Sequence, residues 1–430
     1  RPEGRNPAGP GDLFRELSDG AANPAPEAAL STIERIGMIE ARRLARKADP
    51  KSDETKRLTK ILRGQYASDV AELVAQRAFG PGLFERMSAF WADHFTVAGR
   101  SRNHLSVLPA FEREALRPHV MGRFDDMLVA VCRHPVMLNY LDQRISVGPN
   151  SRGGKRRQVG LNENLAREVL ELHTLGVGGN YTQGDVSELA ELFTGYSFDR
   201  QAGTFKFNAH WAEPGPETVL GRRYGDGKPD PGEAEAALRD IARHPDTARH
   251  IGRKLAVHFV SDTPDEGLAA HVAEAFQQSE GHLPSVYAAL LEHPAAWRDF
   301  GAKVKRPIEL VASAMRATET RPNQLSPKLQ AYLLRAINNM NQPIWQPPGP
   351  DGWPEEGAAW ITPQGLSERL KFASKLGHIL EPRRDFDPRV LAEAALGDAL
   401  KPITAFAIGG AEARWEGFAL LFASAEFNRR

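Results

Sequence analysis

Apolar residues recur at three-and-four spacing along nearly the whole chain, and no long run alternates with period two. That pattern admits helix packed on helix and excludes a chain built mainly of sheet. Residues 53–78 carry it most plainly, with Leu58, Ile61, Leu62, Tyr66, Val70 and Leu73 on one stripe. Gly80-Pro81 ends that helix, and Pro81 can open the next, over 81–96. The spacing predicts further helices over 28–47, 108–116, 123–132, 134–141, 162–175, 183–195, 232–243, 245–260, 264–279, 283–292, 307–318, 326–338, 364–379, 387–396 and 411–424. Residues 203–221 read as one short hairpin. The expected fold class is therefore all-α, a large multi-helix globular domain with one short β-hairpin. An N-terminal extension and helix over 1–52 would precede a helical domain over 53–430.

Composition excludes several function classes. Lys plus Arg total 55, as do Asp plus Glu, so the net charge is zero. A nucleic-acid face normally needs a basic excess, and none is expected here. The single cysteine, Cys132, excludes an internal disulfide and a cysteine-rich zinc site. Within Leu128-Val-Ala-Val-Cys132 it reads as an inert core thiol. No stretch approaches the ~18 uninterrupted apolar residues of a membrane span. The first residues lack the apolar segment of a signal peptide, and a start on Arg1 reads as a processed or cut chain.

Two irregular stretches interrupt the helices. Residues 147–160 form a basic, glycine-containing loop, which reads as a solvated connector or a functional loop. Residues 341–363 hold six prolines with Trp345, Trp353 and Trp360. That segment reads either as a strap whose tryptophans fill the core surface or as an aromatic wall for a sugar or other flat ligand.

The segment from Leu161 to Leu175 is the most informative. On a helix, Leu161, Leu165, Val169, Leu172 and Leu175 form one apolar arc. Glu163, Arg167 and Glu171 fall on the polar side as an ion-pair ladder. Glu168 falls inside the arc, with Asn162 and His173 at its margin. A carboxylate aimed at a core needs a partner or a raised pKa, which makes it a site candidate or a structural buried acid. Gly176 suits the position after the helix, and Thr182 with Asp185 reads as a capping box. His94 lies near the centre of the apolar face of 83–95, and His258 on a similar stripe. Lys303 and Lys305 precede Pro307 at a helix start, where an anion could be met.

These residues carry a family resemblance. The sequence resembles the bacterial "domain of unknown function 1800" (DUF1800) through Phe90-Trp-Ala-Asp-His-Phe95, the run from Asn162 to Gly176, Tyr181-Thr-Gln-Gly-Asp-Val186 and Leu192-Phe-Thr-Gly-Tyr196. Gly215-Pro-Glu-Thr-Val-Leu-Gly221, Arg253-Lys-Leu with His258-Phe259, Lys303-Val-Lys-Arg-Pro307, Pro347-Pro-Gly-Pro-Asp-Gly-Trp-Pro354 and Ala423-Ser-Ala-Glu-Phe427 continue it in order. The resemblance implies an all-helical, exported and hence periplasmic protein, whose gene often neighbours that of a sulfatase-like protein. It implies no reaction. The family often has His-Asp before Pro/Ala-Gly, where this chain has Ala212-Glu213-Pro214-Gly215, with His210 two positions earlier.

Two function classes are expected. One is an exported hydrolase acting on a polysaccharide or envelope polymer. There Glu168 would be the general acid/base, His94 and His173 its tuning or proton-transfer partners, and Asn162, Trp345, Trp353, Trp360, Lys303 and Lys305 the substrate contacts. The other is a non-catalytic binding or assembly partner of a sulfatase-like protein, with the Glu/His cluster as a structural network. No cofactor and no metal are expected. A metal site would need His94, Glu168 and His173 to converge as ligands.

Overall fold

The computed structural model describes residues 10–22, 30–99, 101–157, 160–199, 202–298, 300–321 and 325–430. Among them, every regular element is helical except two short hairpins. The helices start where the sequence supplies starting chemistry. Ser31 and Thr182 close capping boxes with Glu34 and Asp185, and Pro245, Pro307 and Pro363 open their helices. Two helices of eight residues or more form where none was expected, Pro10–Ala22 and Pro402–Gly409, along with the short helices Arg102–Leu105, Arg152–Arg157 and Ala295–Arg298. The first is short and rich in Gly, Asp and Ser, yet its Leu17 is fully buried in the main core.

The hairpin expectation needs correcting. Residues 203–221 do not pair with themselves. Tyr196–Phe198 pairs with Phe205–Phe207, and Glu217–Val219 pairs with Arg222–Tyr224. The second hairpin turns on Leu220 and Gly221, both at positive φ, as a two-residue turn between right-twisted strands requires.

The helices enclose two apolar clusters. The larger runs from Leu17 to Ala295 and centres on Trp91, Phe95, Phe124 and Phe276. The smaller joins Val70, Val74 and Ala78 of the long helix Asp53–Phe79 to the C-terminal helices, around Leu310, Phe372 and Phe418. Trp345 packs against both. The first helices are tied to this body. Arg35 makes a buried two-pronged pair with Asp69, at 2.7 and 2.8 Å, and also donates to the carbonyls of Leu30 and Ser106. Within the larger cluster, Gly252 lets Pro245–Phe259 pack directly on Glu266–Gln278. A Cβ there would sit 2.8 Å from the Ala269 carbonyl oxygen. No helix among the described residues is long and apolar enough to cross a membrane.

The expected helix over 162–175 is not uniform. Asn164–Glu168 is α-helical, and Val169–His173 widens into a π turn. One extra residue in a turn rotates everything beyond it, which resets the wheel after Glu168.

Candidate functional site

Helix Gly82–His94 is buried on two sides. One stripe is aromatic and fills the larger cluster; there Trp91 donates its indole N–H to the Tyr287 hydroxyl at 2.6 Å. The opposite stripe, Glu85, Arg86, Ala89, Ala92 and Asp93, is charged at its ends and small in the middle. The alanines leave room. A cavity of about 340 Å³ opens there, bounded by Leu73 and Arg77 on the long helix and by Ile308, Glu309 and Arg316 on Pro307–Ala317. Trp345 and Trp353 of the proline-rich loop form another wall, and Lys305, His258, Glu112 and Arg430 also line it.

Hydrogen bonds fix that loop over the cavity. Asp93 accepts from the Trp353 backbone N–H at 2.9 Å and from Arg306 at 2.7 Å. Arg306 reaches Glu355 at 2.9 Å with its other terminal nitrogen. Glu355 also accepts from His258 at 2.7 Å. Lys303, buried, donates to Asp262 at 2.6 Å and to the Glu355 carbonyl at 2.7 Å. The Trp345 indole donates to Glu112 at 2.6 Å, and its carbonyl accepts from Gly99 N–H at 2.8 Å. Trp345 holds a φ of +56°, a left-handed conformation that a bulky residue adopts only when its surroundings impose it.

Burial and charge set the protonation of this site. Burial pushes the Glu112 carboxyl up, against Arg77 and the Trp345 bond. It pushes Asp93 up too, against the pull of Arg306. At Glu309 and Glu355 burial is outweighed. Arg430, Arg86 and Arg306 bring Glu309 down to about 2, and His258, Arg306 and Lys303 hold Glu355 well below the carboxylate range. Burial brings the Lys305 ammonium down to about 8.

A second polar group lies inside the larger cluster. The His94 Nε2–H donates to the His173 carbonyl at 3.0 Å, and His250 Nε2 lies 3.2 Å from the Leu172 carbonyl. The His94 ring centroid is 6.1 Å from that of His173 and 6.2 Å from that of His250. The Nδ1 atoms of His94 and His173 are buried without a hydrogen-bond partner. Burial, then the nearby Lys254, brings His173 down to about 3 and His250 to about 4, and takes His94 well below its ordinary value. All three rings are neutral at pH 7. Gly176, at positive φ, lets the chain pass His250, where a Cβ would meet the ring at 2.7 Å. Among the described residues, no three His, Cys, Asp or Glu side chains are placed to hold a metal ion.

A family model described as "Protein of unknown function (DUF1800)" matches residues 8–429. The chain belongs to that family. No curated protein and no solved structure matches it. In this DUF1800 protein, three segments that carried the sequence resemblance meet at one node: Asp93, Arg306 and Trp353 are bonded to one another.

The expected site residues divide between two places. Trp345, Trp353 and Lys305 come together at the cavity. His94 and His173 come together in the sealed interior. Glu168 joins neither group. It is half-buried, its carboxylate has no hydrogen bond or ion pair among the described residues, and its electrostatic neighbours are Glu171 and Asp351. Leu161 precedes the helix and Leu175 follows the π turn, so neither flanks Glu168 as a regular helix would have it. The wheel put Glu168 inside the apolar arc and His173 at its margin; the structure leaves Glu168 partly open and seals His173. The Glu163–Arg167–Glu171 ladder forms, with contacts of 3.1 and 3.2 Å.

The remaining expected contacts have structural occupations. Trp360 is buried with its ring 5.9 Å from that of Trp353, and donates to the Pro354 carbonyl. Lys303 is fully engaged below the loop. Asn162 donates to the Leu141 carbonyl and accepts from the Asn164 N–H. Glu213, standing in the departure from the family pattern, accepts from the backbone and side chain of Asn150 and anchors the basic loop. That loop carries a short helix, Arg152–Arg157, and residues 158–159 lie outside the described residues. Sequence reasoning missed Arg86, Asp93, Glu112, Arg306 and Arg430 as site residues. A signal for two of them existed: Arg86, Ala89, Ala92 and Asp93 are spaced as a second stripe, small between charges, on a helix whose other face is aromatic.

Proposed function

We propose that this DUF1800 protein binds a sugar ring of a polysaccharide or envelope polymer in the cavity beneath residues 341–363. One observation carries the reading: Trp345 and Trp353, with Lys305, line a single cavity at the junction of the two apolar clusters. Such junctions are common ligand sites, and aromatic rings beside a few polar groups suit the apolar face of a sugar. Export to the periplasm, where such polymers occur, belongs to the proposal and rests on the family resemblance. Calorimetric titration with oligosaccharides tests it. Saturable binding is expected, weakened about tenfold in Trp353→Ala by loss of one stacking face. Heat of dilution alone across neutral and acidic oligosaccharides would remove the reading.

A second reading, hydrolysis with Glu168 as general acid, has its own support. Burial first, then Glu171 and Asp351, pushes Glu168 up to about 7, where a carboxylic acid can donate a proton. Because the folded pKa lies above the ordinary 4.5, the proton favours the folded state. That contribution is full below pH 4.5 and is lost as pH rises through 7. Glu168→Gln should therefore leave stability unchanged at pH 4 and raise it by about 1 kcal/mol at pH 8, after discounting for solvent screening. Urea denaturation at both pH values reads this. A loss of stability at pH 8 would mean that the carboxylate holds a structural partner, and the acid role would go with it.

A further inference from the structure

We propose that the cavity beneath the loop seats an oxyanion (a carboxylate, or a sulfate or phosphate ester) among Arg86, Lys305 and Arg430. The ligand of the proposed function would then be an acidic saccharide, an assignment that rests on that reading.

The argument starts from charge. Six cationic side chains line the cavity, Arg77, Arg86, Lys305, Arg306, Arg316 and Arg430, against the four carboxyl groups of Glu85, Asp93, Glu112 and Glu309. Part of this set is internally matched: Arg77 lies 3.4 Å from Glu85, and Arg306 pairs with Asp93 and Glu355. The rest is not. Arg316 donates to the backbone carbonyls of Ala78 and Gly80 and is attracted by Glu16.

The other three cations cluster near Pro307–Ala317 around one carboxylate, Glu309. Arg430 is held with its side chain 9% exposed. Its Nε lies 3.3 Å from Glu309 outside hydrogen-bonding geometry, its Nη2 donates to the His258 carbonyl, and its Nη1 has no partner. Arg86 stands over the Phe259 ring at 5.1 Å, with its Nε buried and unbonded. Lys305 donates to the Phe427 carbonyl at 2.7 Å and, among the described residues, meets no carboxylate within ion-pair distance. Arg86 and Arg430 repel each other, and both repel Lys305.

Three cations withdrawn from water that share a single carboxylate are costly, so their presence in an open cavity is intelligible when a further anion enters. Guanidinium forks and an ammonium are the donors that match oxyanions. The aromatic wall lies in the same cavity, so one ligand can present a ring to Trp353 and its charge to Arg86.

The test combines thermal unfolding and calorimetry on the whole chain. Millimolar sodium sulfate should raise the melting temperature relative to chloride at equal ionic strength, since a ligand of the folded state stabilises it. A glucuronate-containing oligosaccharide should bind roughly tenfold or more tightly than its glucose counterpart, as expected for a desolvated charge pair. Both effects should vanish in Arg86→Gln, whose melting temperature without ligand should equal or exceed the parent's, because a repelled cation has gone. Should that variant fail to fold, Lys305→Gln carries the same comparison. Equal affinity for acidic and neutral sugars, with no sulfate effect, overturns the oxyanion seat and leaves ring binding standing. A sulfate effect without sugar binding does the reverse. A sulfate effect that persists in both variants overturns the assignment to these residues.

Discussion

Lowering the pH from 7 to 5 should cost the protein several kcal/mol of stability, read as a falling urea midpoint. His94, His173, His250 and His258 are largely buried, and burial holds all four below their ordinary 6.5, His173 at about 3 and both His250 and His258 at about 4. The unfolded chain takes up their protons near pH 6.5, while the folded chain does not. Stability from these groups is therefore complete above 6.5 and is lost as pH falls toward the folded values. Each such proton contributes a slope of about 1.4 kcal/mol per pH unit. Raised carboxyls work in the opposite sense: Glu168 at about 7, Glu217 at about 8, and Asp93, Glu112 and Glu191, all raised first by burial, hold protons better when folded. Glu168 is half-buried, so screening reduces its share, whereas Glu217 is buried and keeps its own. Four histidines, at about 2 kcal/mol each, against these carboxyls leave a net loss on the order of 2–5 kcal/mol between pH 6.5 and 4.5. Below 4.5, Glu309 and Glu355 add to the loss, since their folded values are depressed. A midpoint that stays level from pH 7 to 5 would mean that water reaches these rings.

The histidines also show what the sequence can and cannot carry. The depth of His94 was readable, because it sits at the centre of an unbroken apolar stripe on a regular helix. His173 and Glu168 were placed at the wrong depths, because neither the late helix start at Asn164 nor the π turn after Glu168 leaves a mark in the apolar period. Helix existence was readable wherever the period was long. The Pro10–Ala22 helix was not, since its Gly, Asp and Ser residues mask three apolar contacts. The tryptophans and Lys305 could be flagged from their unusual neighbourhood. Arg86, Arg306 and Arg430 could not, because a charged residue beside an apolar one ordinarily reads as a solvated face. That these arginines turn inward is decided by which helices meet, and no local pattern reports that. The cavity itself depends on Ala89 and Ala92 facing it, small residues whose spacing is visible but whose opposite wall comes from residues more than 200 positions away.

Arg306 is where the fold and the proposed site depend on one side chain. It is 8% exposed, bonds Asp93 at 2.7 Å and Glu355 at 2.9 Å, and stands at the start of Pro307–Ala317. Arg306→Ala should cost about 3–5 kcal/mol in urea denaturation, because it leaves carboxylates in a desolvated setting without their counter-ion. Asp93→Ala should cost less, since Arg306 keeps Glu355. The double variant should cost clearly less than the sum, with a coupling of about 1–3 kcal/mol, as for groups in one network. The functional consequence follows from the same bonds. Asp93 also holds the Trp353 backbone, so losing Arg306 should loosen residues 341–363 and make that segment the first site of proteolytic cleavage. Additive costs, or an Arg306→Ala loss under 1 kcal/mol with the loop still protected, would mean that the Trp345 and Lys303 contacts alone hold the cavity wall.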